Sequence, residues 1–139
     1  METNRPTDFI SAIIYGATFS PRELLTMTDL PLKNSHEACD GWVRKTDSGT
    51  FKDGAASLVA TMYPHSEGIQ PFEDLLDTVV ANYEAIKACG GTSITIWVAL
   101  FNSVQGNWSM SEEHVQKLAA FNGSLAVSYY RDDDPVRPA

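Results

Sequence analysis

The sequence predicts an α+β fold, a mostly antiparallel sheet of about five strands with three helices, on three observations. Residues 92–101 (TSITIWVALF) are β-branched, aromatic and aliphatic, without charge or proline. Such a run marks a strand in the middle of a sheet, covered at least partly on both faces. Phe72, Leu75, Leu76, Val79, Val80, Tyr83 and Ile86 recur at helical spacing, the stripe of a helix lying on that sheet. Turn residues punctuate the other apolar stretches at short intervals, so strands and helices alternate.

The remaining elements follow in order. Residues 9–15 (FISAIIY) form the first strand, and Gly16 ends it. Ser20 caps a helix that Pro21 opens, with Glu23 in place to complete a capping box; Leu30 and Pro31 stop it. Residues 31–55 are dense in turn chemistry, at Asn34, Ser35, Asp40, Gly41, Gly49, Asp53 and Gly54. Within them, residues 42–46 (WVRKT) are expected as a short edge strand shielded by its basic residues. Residues 56–63 (ASLVATMY) make a further strand, ended by Pro64.

Residues 70–88 form the main helix, opened by Pro71, with Glu73, Asp74 and Asp77 toward the positive end of its dipole. Gly90 and Gly91 lead into the central strand. A third helix starts around residues 108–112 with a second capping box, buries Val115, Leu118, Ala119 and Phe121, and stops at Asn122 and Gly123. Residues 125–130 (LAVSYY) are the last strand. The first six elements read β-α-β-β-α-β, a ferredoxin-like core, followed by an added helix and strand. Residues 1–139 read as a single domain, with flexible tails at 1–8 and 131–139.

A first strand ending in Gly16, then FSPREL at residues 19–24 and a Leu30-Pro31 boundary, resembles the bacterial domain-of-unknown-function family 4279. The late stretches SMSEEHVQKLA (109–119) and LAVSY (125–129) are similar to the closing helix and strand of that family. The resemblance covers most of the chain. It implies an α+β fold, no established activity and no functional residues.

Composition narrows the function classes. A net charge of −8 opposes binding to nucleic acid or to an anionic membrane, and suits solubility or a basic protein partner. No apolar run is long enough for a membrane helix, and residues 1–8 lack the basic start and apolar core of a signal peptide. Two cysteines, Cys39 and Cys89, are too few for a disulfide framework, so a reducing, cytoplasmic setting is expected.

Catalytic patterns do not assemble. His36 and Cys39 have the spacing of half a metal site, but His65 and Cys89 stand apart and supply no second close pair. The deaminase pattern, nucleophile elbow, Walker loop and dinucleotide fingerprint are all missing from the sequence. The carboxylate pairs Glu73-Asp74 and Glu112-Glu113 fall in helix first turns, where the dipole accounts for them. His114 is expected at the margin of the third helix or in solvent. No catalytic, cofactor-binding or metal-binding residue is predicted, and no cofactor.

Strand alternation supplies a sharper lead. Ile94, Ile96, Val98 and Leu100 share one side of the central strand, and Thr95, Trp97, Ala99 and Phe101 the other. The first strand divides alike, Ile10, Ala12 and Ile14 against Ser11, Ile13 and Tyr15. The aliphatic side suits the helices. The side with Tyr15, Tyr63, Trp97, Phe101 and Tyr130 has the aromatic and hydroxyl composition of a recognition surface. Two readings of it stand: a docking surface, or a face covered by residues 31–55 and the third helix.

The leading expectation is a non-catalytic protein-binding module, one form being an immunity-like or inhibitor protein that neutralises a basic partner such as a nuclease toxin. The alternatives are a structural or regulatory homodimer joined through the aromatic face, and a small-molecule-binding domain or enzyme with a pocket there.

Overall fold

The computed structural model describes residues 9–43, 46–61, 69–101 and 109–130. Its elements are β1 (Phe9–Gly16), α1 (Pro21–Met27), β2 (Lys33–His36), β3 (Gly41–Val43), β4 (Ser48–Thr50), β5 (Gly54–Thr61), α2 (Ile69–Ala88), β6 (Ser93–Phe101), α3 (Glu112–Ala120) and β7 (Ser124–Tyr130). Five strands form one sheet in the order β2-β5-β1-β6-β7, and β3 and β4 make a separate two-stranded hairpin. β1 lies at the centre, antiparallel to both β5 and β6, and β2 is antiparallel to β5. Without the hairpin and β7, this is the ferredoxin-like order. α3 then returns the chain to lay β7 parallel to β6.

The helices pack on one face of the sheet. Ile10, Ala12, Ile14, Ala56, Leu58, Ile94, Ile96, Val98 and Leu100 join Phe72, Leu75, Leu76, Val79 and Ile86 of α2 in a single core. Every strand residue in that cluster has the same parity, as alternation requires of a sheet covered on one side. Phe19 and Leu24 bring α1 into the same core, and Phe121 closes it beyond α3.

Local chemistry sets the ends. Ser20 Oγ accepts from the Glu23 N–H (3.1 Å), with Pro21 at the start of α1. α2 ends where Gly91 N–H donates to the Ile86 carbonyl (2.9 Å) and Gly90 N–H to that of Lys87 (3.0 Å). Gly90 takes φ +93°, and a Cβ there would meet the Thr18 carbonyl, so glycine is required twice over. Asn122, at φ 53°, ends α3 by the same device, with Gly123 N–H donating to the Leu118 carbonyl (3.0 Å).

Several expectations are corrected. Residues 33–36 (KNSH) form an edge strand of the main sheet, although Asn34 and Ser35 read as turn residues. Pairing with β5 overrides their low strand propensity. The basic strand expected at 42–46 is instead Gly41–Val43, half of the β3-β4 hairpin, with residues 44 and 45 outside the described residues.

α2 begins at Ile69, which puts Pro71 third in the helix and leaves no acidic residue in its first turn. Glu73 and Asp77 are engaged elsewhere, with Lys117 of α3 (3.3 and 2.7 Å). Val80 is exposed, so the stripe of α2 is narrower than its periodicity suggested. α3 is rotated from its expected setting: His114 is buried, while Val115 and Ala119 are exposed. The side that packs is set by His114 meeting Phe72 and Lys117 meeting Asp77. Ser111 caps the helix, and the reciprocal partner is His114, whose Nδ1 accepts from the Ser111 N–H (3.3 Å) while Ser111 Oγ accepts from the His114 N–H (3.1 Å). The tails at 1–8 and 131–139 lie outside the described residues.

Candidate functional site

The reverse face of the sheet follows directly from the register. Ser11 lies opposite Val59 on one side and Trp97 on the other, and Trp97 lies opposite Ala126. A row of Val59, Ser11, Trp97 and Ala126 therefore crosses four strands, with Trp97 as its one large ring. None of these residues belongs to the core cluster, whose members on these strands all point to the helices.

Trp97 is half-buried, and its ring is fixed from two sides. Phe9 meets it edge-on, with ring centroids 5.4 Å apart and planes at 90°. Its Nε1 donates to Ser128 Oγ of β7 at 2.8 Å. Ser11 and Ala99, the small residues next to these rings, are buried. An indole held by an aromatic edge and a hydroxyl is pre-ordered, so less side-chain entropy is lost when a partner covers it. Elsewhere on the same face Val59 is 44 % and Tyr15 37 % exposed.

Of the five residues predicted for this face, the described ones are spread along the sheet. Tyr15 and Trp97 share the face, but Tyr15 lies opposite Ser93, four positions along β6 and so about 13 Å away. Tyr130 is half-buried and pairs with Phe101 at the other end of β6, also four positions from Trp97. The position of Phe101 puts it on the same face as Trp97, and its side chain lies outside the description. Tyr63 lies outside the described residues altogether. Phe9 was missed as a member of the face. Its parity with Ser11, Ile13 and Tyr15 was the signal, and only the β1–β6 register shows that it reaches Trp97.

Residues with metal or nucleophile chemistry are dispersed. The His36 ring stacks on Phe51 at 3.5 Å, and Cys39 sits exposed in a turn at φ 72°. Cys89 is buried beneath α1 with its Sγ 3.5 Å from Met27 Sδ. Burial pushes the Cys89 thiol above its ordinary range, and the Glu23 carboxylate adds to the shift. Among the described residues no three His, Cys, Asp or Glu side chains converge as a metal site would need. His65 lies outside them. His114 is structural here, capping α3 and meeting Phe72 edge-on at 5.0 Å.

Acidic groups recur next to α3 as well. Lys117 reaches Asp77 (2.7 Å), Glu73 (3.3 Å) and Glu113 (3.8 Å), which ties α3 to α2. Its hydrogen bond to Asp77, with that to Glu73, holds the ammonium above the ordinary lysine range against a smaller opposing effect of desolvation. No helix among the described residues is long and apolar enough to cross a membrane. Compared with known proteins, the chain matches no family model, no curated protein and no solved structure.

Proposed function

We propose that the chain is a non-catalytic protein-binding module that receives its partner on the reverse face of the sheet. The observation that carries this reading is Trp97, a half-buried ring held by Phe9 and Ser128 on the face of the sheet turned away from the helices. Tryptophan in a pre-ordered setting, ringed by small and hydroxyl side chains, is the residue type that dominates binding energy at protein interfaces. A net charge of −8 supports a basic partner, with long-range attraction speeding the encounter, and opposes nucleic acid. The concrete form of this reading is an immunity-like or inhibitor protein acting on a basic enzyme such as a nuclease. A reducing, cytoplasmic setting goes with it, because Cys39 and Cys89 are both free thiols. The resemblance to family 4279 adds a fold to this reading and no activity.

The test is affinity capture from the native cell with the wild-type chain and with Trp97→Ser. The expected result is a basic protein retained by wild type, released by added salt and lost with Trp97→Ser, while circular dichroism shows the fold intact. Equal retention by both chains would remove the reverse face as the binding surface. Retention that ignores salt would remove the basic partner.

A further inference from the structure

α3 gives way to β7 at Asn122 and Gly123, and the corner itself fixes both identities. Asn122 sits at φ 53°, in the left-handed region that asparagine enters more readily than most residues with a side chain. Gly123 has no room for a Cβ, which would run into the Phe121 ring and the Leu118 side chain. The fold therefore asks for asparagine followed by glycine, and 122–123 is the sole Asn-Gly pair in the sequence. Asparagine is a chemically labile residue, and a following glycine makes it most so. With no side chain, glycine leaves its own backbone nitrogen unhindered for attack on the amide in front of it.

Three hydrogen bonds hold this pair still. Gly123 N–H donates to the Leu118 carbonyl and Asn122 N–H to that of Ala119, each at 3.0 Å. Asn122 Nδ2 donates to the Tyr83 hydroxyl of α2 at 3.0 Å, and Tyr83 in turn packs against the core. The attacking nitrogen and the leaving amide are thus both engaged, and each is tied to a helix.

We propose that Asn122 is a latent deamidation site, silent while the α3–β7 corner is closed and converted to aspartate and isoaspartate when it opens. In the open corner the Gly123 N–H gives its proton to hydroxide, and the nitrogen bonds to Asn122 Cγ. The Cγ–Nδ2 bond breaks, and Nδ2 takes a proton from water and leaves as ammonia. Water then opens the resulting succinimide ring at either carbonyl, with no change in oxidation state. Both products place a new carboxylate at the negative end of α3 and lose the donor to Tyr83. The isoaspartyl product also routes the main chain through Cβ. That adds one atom just ahead of Ser124, where β7 begins to pair with β6. The change loosens β7, and with it Ser128, the acceptor for Trp97 Nε1. The site is separate from the Trp97 face, and the chemistry does not depend on what that face binds.

Timed incubation of the full chain in mildly alkaline buffer tests this, read by peptide mapping that separates the asparaginyl, aspartyl and isoaspartyl forms at 122. Wild type, Tyr83→Phe and Ser111→Ala are followed in the native state, checked by circular dichroism, and wild type also in denaturant. Native wild type is expected to convert about tenfold more slowly than the unfolded chain, because only the open fraction reacts. Both variants are expected to fall between. Tyr83→Phe frees the amide, and Ser111→Ala weakens the cap of α3 without touching Asn122. In the isoaspartyl fraction, amide deuterium exchange at residues 124–128 is expected to be faster than in fresh protein. A native rate equal to the unfolded one, or two variants no faster than wild type, would overturn the proposal. Acceleration confined to Ser111→Ala would remove Tyr83 as a hold, and unchanged exchange at 124–128 would overturn the coupling to β7.

Discussion

On β5, Leu58 is 3 % exposed and the next residue, Val59, is 44 % exposed; on β1, Ile14 is fully buried and Tyr15 is 37 % exposed. Neighbours of similar apolar character thus differ completely in environment. The apolar stripe of α2 makes the difference, because it covers one face of the pleat and not the other. The lesson is that hydrophobicity alone does not locate this core. The closed face is marked by aliphatic residues with no polar interruption, and the open face by mixing Trp97 and Tyr15 with Ser11, Thr95 and Ser128.

Substitutions on the two faces break or sharpen that contrast. Ile96→Ala, on the closed face, is expected to lose about 2–5 kcal/mol, read as a lower urea midpoint at unchanged slope. His114→Ala removes the acceptor for the Ser111 N–H and a ring against Phe72, and is expected to cost about 2 kcal/mol in the same assay. Trp97→Ser, on the open face, is expected to cost about 2 kcal/mol because the ring is only partly buried, and yet to abolish partner capture. Should it unfold the chain instead, the two faces are energetically alike and the contrast fails. Val59→Ser is expected to stay within about 0.5 kcal/mol of wild type.

The smallest effect concerns pH. The ammonium of Lys117 is held above its ordinary range by Asp77 and then Glu73, so the folded state binds that proton more tightly than the unfolded chain. Its contribution is fully present below the ordinary lysine range and is lost as pH rises through the raised value. Lys117→Met is therefore expected to differ from wild type in thermal midpoint at neutral pH and to converge with it in strong alkali.

The cysteines give a chemical version of the same contrast. Cys39 is expected to react with a thiol reagent in the native protein, and Cys89 only on unfolding.

Much of this was legible in the sequence, in proportion to how local its cause is. The stop at Asn122-Gly123, the cap at Ser20 and the parity of Ile94, Ile96 and Val98 depend on residues within a turn or two of each other, and all are present. The setting of α3 was misread because the spacing of Val115, Leu118 and Ala119 does not say which side of the helix meets α2. That side is set by His114 meeting Phe72 and Lys117 meeting Asp77, residues far away in the chain. The candidate face was legible as a parity, but Phe9 was not recognised as a neighbour of Trp97 until the strands were paired.

By itself, then, the sequence determined the order of the three helices and of the long strands β1, β5, β6 and β7, and which strand positions face apart, because backbone periodicity writes both into residue spacing. Tertiary structure decided that KNSH serves as an edge strand, that β7 lies parallel to β6, and that Leu125 and Val127 emerge from a cover that hides Ile96 and Val98. Those outcomes turn on how far a helix laid across the sheet extends and on which strand takes which neighbour. Both are settled by contacts between residues that no local pattern brings together.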